Sequence, residues 1–184
     1  MRIISGNIKG KKLLLPEPSI TRPLKDSVKE NIFNILLHNR DFRVNFENQT
    51  AIDFFAGSGS FGIECLSRGM THVTFVEESN LVKNTLFRNL SNNFEKSKFE
   101  IKNKNFFEID VLPFIKNIMP SIIFFDPPYK IKKLSSIFEI INSIKIRDII
   151  IILHIEKNIN FDFTHFRKSL SRVYGLSKII FLKN

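Results

Sequence analysis

The stretch Asp53-Phe54-Phe55-Ala56-Gly57-Ser58-Gly59-Ser60-Phe61-Gly62 decides the fold. The apolar run Thr50 to Phe55 that enters it reads as a strand. Gly62 to Arg68, stopped by Gly69, reads as a helix. Between them Gly57, Gly59 and Gly62 stand at the spacing G-x-G-x-x-G. A loop that follows a strand and opens a helix needs glycine there. The backbone must turn sharply, and it must approach whatever binds at the helix N-terminus.

Outward from this loop the pattern alternates. His72 to Glu77 predicts a second strand and Asn80 to Asn93 a helix. Phe99 to Lys102, Ser121 to Phe125 and Ile149 to Glu156 predict further strands. Val111 to Ile118 and Leu134 to Ile144 predict the helices between them. The strands are continuous apolar runs, as expected of strands buried on both faces of a parallel sheet. Val173 to Tyr174 and Lys178 to Leu182, around Gly175, predict a closing hairpin. Before the core, Thr21 to His38 leads into an amphipathic helix through Val28, Ile32, Ile35 and Leu36, with Asp26 or Ser27 as its cap. Residues 1–20 form an extended or hairpin-like arm punctuated by Gly6 and Gly10, and 21–184 the main domain.

The glycine spacing alone fits a dinucleotide and S-adenosylmethionine equally. Glu77, ending the second strand, is placed to accept hydrogen bonds from ribose hydroxyls in either case. Asp53 separates the two. A carboxylate beside the loop repels a pyrophosphate but attracts a sulfonium and an ammonium. At about 4 Å and an effective dielectric near 20, that difference of sign amounts to roughly 4 kcal/mol each way. Nothing in the chain offers a hydride-transfer site.

The fourth strand runs into Asp126-Pro127-Pro128-Tyr129. Two prolines end the strand abruptly at the carboxyl edge of the sheet, where open α/β folds bind ligands. The corner presents a carboxylate, carbonyls without competing N–H groups, and an aromatic ring. That set suits an exocyclic amino nitrogen, whose lone pair is delocalised into its base. Asp126 and the Pro127 carbonyl can accept its two N–H bonds and stabilise the charge that develops on it. Tyr129 can stack on the base, and Pro128 completes the surface that meets it.

The chain has 184 residues, of which 43% are hydrophobic, enough to build one cored domain. Its formal net charge of +10 points to a polyanionic partner. Residues 1–30 concentrate Arg2, Lys9, Lys11, Lys12, Arg22, Lys25 and Lys29 against Glu17, Asp26 and Glu30. Arg2, Lys11, Lys12 and Arg22 are the expected nucleic-acid contacts. A single cysteine, Cys65, excludes an intramolecular disulfide and a thiolate metal cluster. His38, His72, His154 and His165 show no metal spacing and read as structural or surface residues, so no metal is expected. No apolar run approaches membrane-spanning length and the N-terminus lacks a signal-peptide pattern, so the expectation is a cytoplasmic protein; a monomer is expected besides.

These residues together resemble the RsmD family of bacterial 16S rRNA (guanine-N2)-methyltransferases. The resemblance runs through Arg2-Ile3-Ile4-Ser5-Gly6 and Gly10-Lys11-Lys12-Leu13, then Thr21-Arg22-Pro23 with Val28, Glu30, Phe33 and Asn34. It continues through Asp53 to Gly69, Val76-Glu77, Asp126-Pro127-Pro128-Tyr129 and Tyr174-Gly175. It implies a class I S-adenosylmethionine-dependent methyltransferase fold, Rossmann-like, with a mostly parallel seven-stranded sheet and a short N-terminal β-hairpin arm. It implies S-adenosylmethionine as methyl donor and 16S rRNA, free or in a small-subunit assembly intermediate, as partner. The donor would be held by Asp53, Ala56, Gly57, Ser58, Gly59 and Glu77, with Asn105 and Phe106 beside its adenine. Asp126, Pro127 and Tyr129 would handle the guanine. Two departures stand out: Leu24-Lys25 follows Arg-Pro where threonines are usual, and Asn105 stands where an aspartate is usual. An amide oxygen still accepts the adenine amino group's hydrogen bond. The same corner chemistry would serve a DNA adenine or protein glutamine methyltransferase, and a non-catalytic RNA-binding assembly factor could keep the fold.

Overall fold

The computed structural model describes residues 1–16, 24–129 and 131–184. Among them a seven-stranded sheet runs β3 (Phe99–Lys102), β2 (His72–Val76), β1 (Thr50–Phe54), β4 (Ile122–Phe125), β5 (Ile150–Glu156), β7 (Ser177–Lys183), β6 (Lys168–Tyr174). The first five of these are parallel; β7 runs antiparallel between β5 and β6. The sheet order reverses direction between β1 and β4, and the carboxyl ends of those strands are where such a sheet opens a crevice.

Alternation along the strands explains the continuous apolar runs. Ala51, Phe75, Phe124 and Ile152 face one core with helix α1 (Asp26–His38), α2 (Ser60–Ser67) and α3 (Asn80–Ser91). Ile52, Phe54, Phe125 and Leu153 face the other with α4 (Val111–Ile118) and α5 (Leu134–Ser143). Every residue from Ala51 to Phe54 and from Ile122 to Phe125 is buried, so neither face is left for polar residues apart from Asp53. Gly62 lets α2 lie this close to β2: a Cβ there would run into the ring of Phe75 and the side chain of Val73.

The N-terminal segment pairs its two limbs through backbone bonds from the Ile3 N–H to the Lys11 carbonyl, the Gly10 N–H to the Ile3 carbonyl and the Leu13 N–H to the Met1 carbonyl. It has one isolated antiparallel bridge, Arg2 with Lys12. Side chains of the main domain anchor it. The Glu64 carboxylate accepts the N–H groups of Ile4 and Ser5 at 2.7 and 2.9 Å. Asn89 on α3 accepts from the Leu14 N–H and donates back to its carbonyl. Ile3 and Leu13 are buried in the first core. Two expectations fail in this region. Neither Asp26 nor Ser27 caps α1, whose N-cap is Lys25 without a side-chain bond; Asp26 instead accepts from the Arg2 N–H. Lys29 is not part of a basic surface. It is fully buried, donates to the Arg2 carbonyl and Ser60 hydroxyl, and lies 3.7 Å from Glu64. Burial lowers its pKa, and the Glu64 carboxylate opposes that shift. The closing hairpin is longer than expected, because β6 is an edge strand whose Lys168-Ser169 and Arg172 are exposed and break any apolar run.

Candidate active site

The glycine loop leaves β1 through Phe55, which sits at φ 60°, a left-handed conformation that bulky residues rarely adopt. Gly57 and Gly59 follow at φ 57° and 80°. The Ala56 N–H donates to the Val76 carbonyl at 3.0 Å, which ties the loop to the end of β2. Glu77 tightens the tie: its Oε2 accepts the Gly57 N–H and its Oε1 the Ser79 N–H, both at 2.9 Å. Burial raises the pKa of Glu77, and those two N–H groups pull it back. Ser58 is nearly buried, and its carbonyl accepts from Asn89, so one side chain joins the N-terminal segment to the loop.

Asp53 lies under the loop rather than in its mouth. It is 1% exposed, and its Oδ2 accepts the Gly62 N–H at 3.0 Å. Burial pushes its pKa well above the usual carboxylate range, and the nearby Asp126 and Glu77 push the same way. The visible work of Asp53 is to hold the start of α2.

Beside the loop opens a cavity of about 530 Å³, a size typical of small-ligand sites. Phe55, Val76, Asn105, Phe106, Pro128 and Lys132 are among the residues that line it. The fold thus brings the expected donor residues Asn105 and Phe106 together with the expected substrate residue Pro128. The Phe106 ring packs 5.0 Å from that of Phe55. Asn105 is already engaged: its amide oxygen accepts from the Phe107 N–H at 2.9 Å and its amide nitrogen donates to Glu78 at 2.6 Å. Arg2, Lys11 and Lys12 are exposed on the N-terminal segment and do not line the cavity. Arg22 lies outside the described residues.

Sheet register builds the corner. Phe54 pairs with Phe125, and the Asp126 N–H points back to the Phe54 carbonyl at 3.4 Å. Phe125 pairs with Leu153 on the other side, so Asp126 emerges beside His154, whose Nδ1 is 2.8 Å from its Oδ1. The Tyr129 hydroxyl is 2.8 Å from that of Ser177 on β7. The sequence reading, which took His154 with the other three histidines as structural or surface, missed its contact with Asp126. Also missed were Glu78, Lys104, Lys132 and Lys133, all on the cavity wall. For the last two a signal existed, since Lys132-Lys133 follows closely on the corner.

The sheet order, the glycine loop tied to Glu77, and the corner at the end of β4 define an S-adenosylmethionine-dependent methyltransferase of class I. The family described as "Conserved hypothetical protein 95" matches residues 1–183, and the chain belongs to it; this is the RsmD family. The chain is 37% identical over 143 residues to a Bacillus subtilis protein named "Putative rRNA methyltransferase YlbH", covering 77% of this chain and 74% of that one. It is 33% identical over 132 residues to "Ribosomal RNA small subunit methyltransferase D" of Escherichia coli, covering 71% of this chain and 61% of the relative. Its fold matches the crystal structure of a "putative methylase" from Haemophilus influenzae at 27% identity and a TM-score of 0.72, over 100% of this chain and 97% of the other.

Proposed function

We propose that the protein transfers the methyl group of S-adenosylmethionine to the exocyclic N2 of a guanine in 16S rRNA. We further propose that it acts in the cytoplasm as a monomer, on free rRNA or on a small-subunit assembly intermediate. The observation that carries this reading is the Asp126-Pro127-Pro128-Tyr129 corner at the end of β4, whose Pro128 lines one cavity with Phe55, at the entry to the glycine loop, and with Asn105 and Phe106. The relatives named for ribosomal RNA methylation supply the substrate class.

The residues present suit the donor. Glu77 follows directly on β2, where it can exchange its loop N–H partners for ribose hydroxyls. Phe106 offers an apolar wall to an adenine, and the second lone pair of the Asn105 amide oxygen remains for the adenine amino group. The donor, when bound, supplies a methyl group already activated on a sulfonium, so positioning makes up most of the remaining catalysis. Asp126 and the Pro127 carbonyl accept the N–H bonds of the amine and hold its nitrogen in line. The nitrogen gains the methyl carbon as the carbon–sulfur bond breaks. Asp126, with its side chain 21% exposed, then receives an N–H proton and returns it to solvent. Tyr129, hydroxyl held at Ser177, gives the base a ring to stack on. Lys132 and Lys133 on the cavity wall, with Arg2, Lys11, Lys12 and Arg22, would meet phosphates around the flipped nucleotide.

The test offers labelled donor with unmodified 16S rRNA, small subunits, DNA and a glutamine-bearing peptide side by side. Label in 16S rRNA or in the small subunit supports the reading. Label in DNA or peptide alone moves the chain to another amino-methyltransferase, and RNA binding without label in any arm makes it a binding module.

A further inference from the structure

The contact between His154 and Asp126 is a product of register and is not carried by any motif. His154 lies one residue past Leu153, the partner of Phe125, and Asp126 lies one residue past Phe125. By alternation both side chains lie on the face of the sheet that bears Phe124 and Ile152, the same face as Asp53. The His154 ring is 5% exposed, while the Asp126 side chain reaches solvent. An ionised carboxylate oxygen only accepts, so the Nδ1 that faces Oδ1 at 2.8 Å carries a hydrogen, and Nε2 is the ring nitrogen left outside the contact. That Nε2 is buried and has no hydrogen-bond partner among the described residues. An apolar side chain would fill the same place without leaving a polar atom unmet, so folding alone gives no reason for histidine here.

We infer that His154 is the positioning residue of the corner: by donating Nδ1–H to Oδ1 it fixes the rotamer of Asp126, so that the carboxylate meets the amino group at one set angle. The inference rests on the reading of Asp126 given under the proposed function. It explains why the corner is held at two points from the strands beyond β4. β5 holds the carboxylate through His154, and β7 holds the ring through Ser177 and the Tyr129 hydroxyl. The Tyr129 and His154 rings meet edge-on at 6.2 Å, which couples the two points.

The test compares wild type, His154→Leu and His154→Asn, with labelled donor and unmodified 16S rRNA. Leucine removes the donor to Asp126, whereas the amide N–H of asparagine stands close to the place of Nδ1. In His154→Leu, kcat is expected to fall about a hundredfold. Its donor Kd and its KM for rRNA should stay within about twofold of wild type, and its Tm should be no lower. His154→Asn should recover most of the lost kcat. A His154→Leu enzyme with wild-type kcat overturns the inference. So does a loss that His154→Asn does not lessen, or one that follows a loss of thermal stability. The ring nitrogens report independently of any substrate. In the free protein their NMR signals should show Nδ1 protonated, with a shift that moves in Asp126→Asn. A ring protonated at Nε2 alone contradicts the pairing. Wild-type protein that methylates no rRNA would instead count against the functional reading, and the ring signals would still decide the pairing.

Discussion

Glu77 holds the glycine loop in place by accepting the Gly57 N–H at 2.9 Å, across the gap between the ends of β2 and β1. The same carboxylate accepts the Ser79 N–H that begins α3. Glu77→Ala removes both acceptors in a nearly buried place and is expected to cost about 1–3 kcal/mol of stability. Donor affinity should fall as well, by about tenfold or more, since the ribose acceptor is lost. Glu77→Gln keeps one acceptor oxygen and should fall between. Thermal unfolding with and without donor, and calorimetry of donor binding, check both effects.

Asp53 and Glu77 predict the direction of a pH effect. Burial raises both carboxyls above the ordinary range. The folded chain therefore holds their protons more tightly than the unfolded chain does. Between the unfolded and folded pKa values the native state binds more protons, so stability falls as pH rises through that window. Asp53→Asn keeps an oxygen for the Gly62 N–H without a charge to bury. Its urea midpoint should exceed that of wild type at neutral pH and change less between about pH 5 and about pH 8. A midpoint lower than wild type at neutral pH would mean that the ionised carboxylate is itself stabilising.

Gly62 is required by packing rather than by its backbone angles, since a Cβ would enter the Phe75 ring. Gly62→Ala should destabilise by about 1–3 kcal/mol through overpacking, lowering Tm by about 2–4 °C for each kcal/mol in a chain of this length. Donor affinity should weaken with it as α2 shifts under the loop. Paired thermal and calorimetric titrations would show whether the two losses track each other.

The cavity wall carries Lys104, Lys132 and Lys133, and Lys133 lies 5.0 Å over the Phe107 ring. Replacing Lys132 and Lys133 by alanine should weaken RNA binding most at low salt. The slope of log affinity against log salt should shrink by about 0.7 for each phosphate of single-stranded RNA that the variant no longer neutralises. Donor binding should be unchanged. An unaltered slope would place the phosphate contacts elsewhere, on Lys11 and Lys12 for example.

The sheet was legible because each central strand is buried on both faces. Ile122 to Phe125 and Ile150 to Ile155 therefore stand out as apolar runs between helical segments. The glycine loop and the corner were legible because their residues are neighbours in the chain. What depends on register across the sheet was not. His154 meets Asp126 only because β4 and β5 pair as they do, and no spacing rule links the two positions. Lys29 misled for a similar reason: counted by charge it belongs to a basic arm, yet its helical position turns it into the core against Glu64. Asp53 was rightly tied to the loop. Its burial, which raises its pKa, emerges only when α2 is laid across β1.

The central claim is that Asp126 presents an exocyclic amine of rRNA to the donor. Nucleoside mass mapping of 16S rRNA, after incubation with donor and either wild-type or Asp126→Ala protein, tests it most directly. The two proteins are first matched for donor binding by calorimetry. The account predicts N2-methylguanine at one site with the wild type and none with Asp126→Ala, at equal donor affinity. Equal methylation by the variant, or a methyl group found on a ring nitrogen, carbon or ribose oxygen, would contradict it.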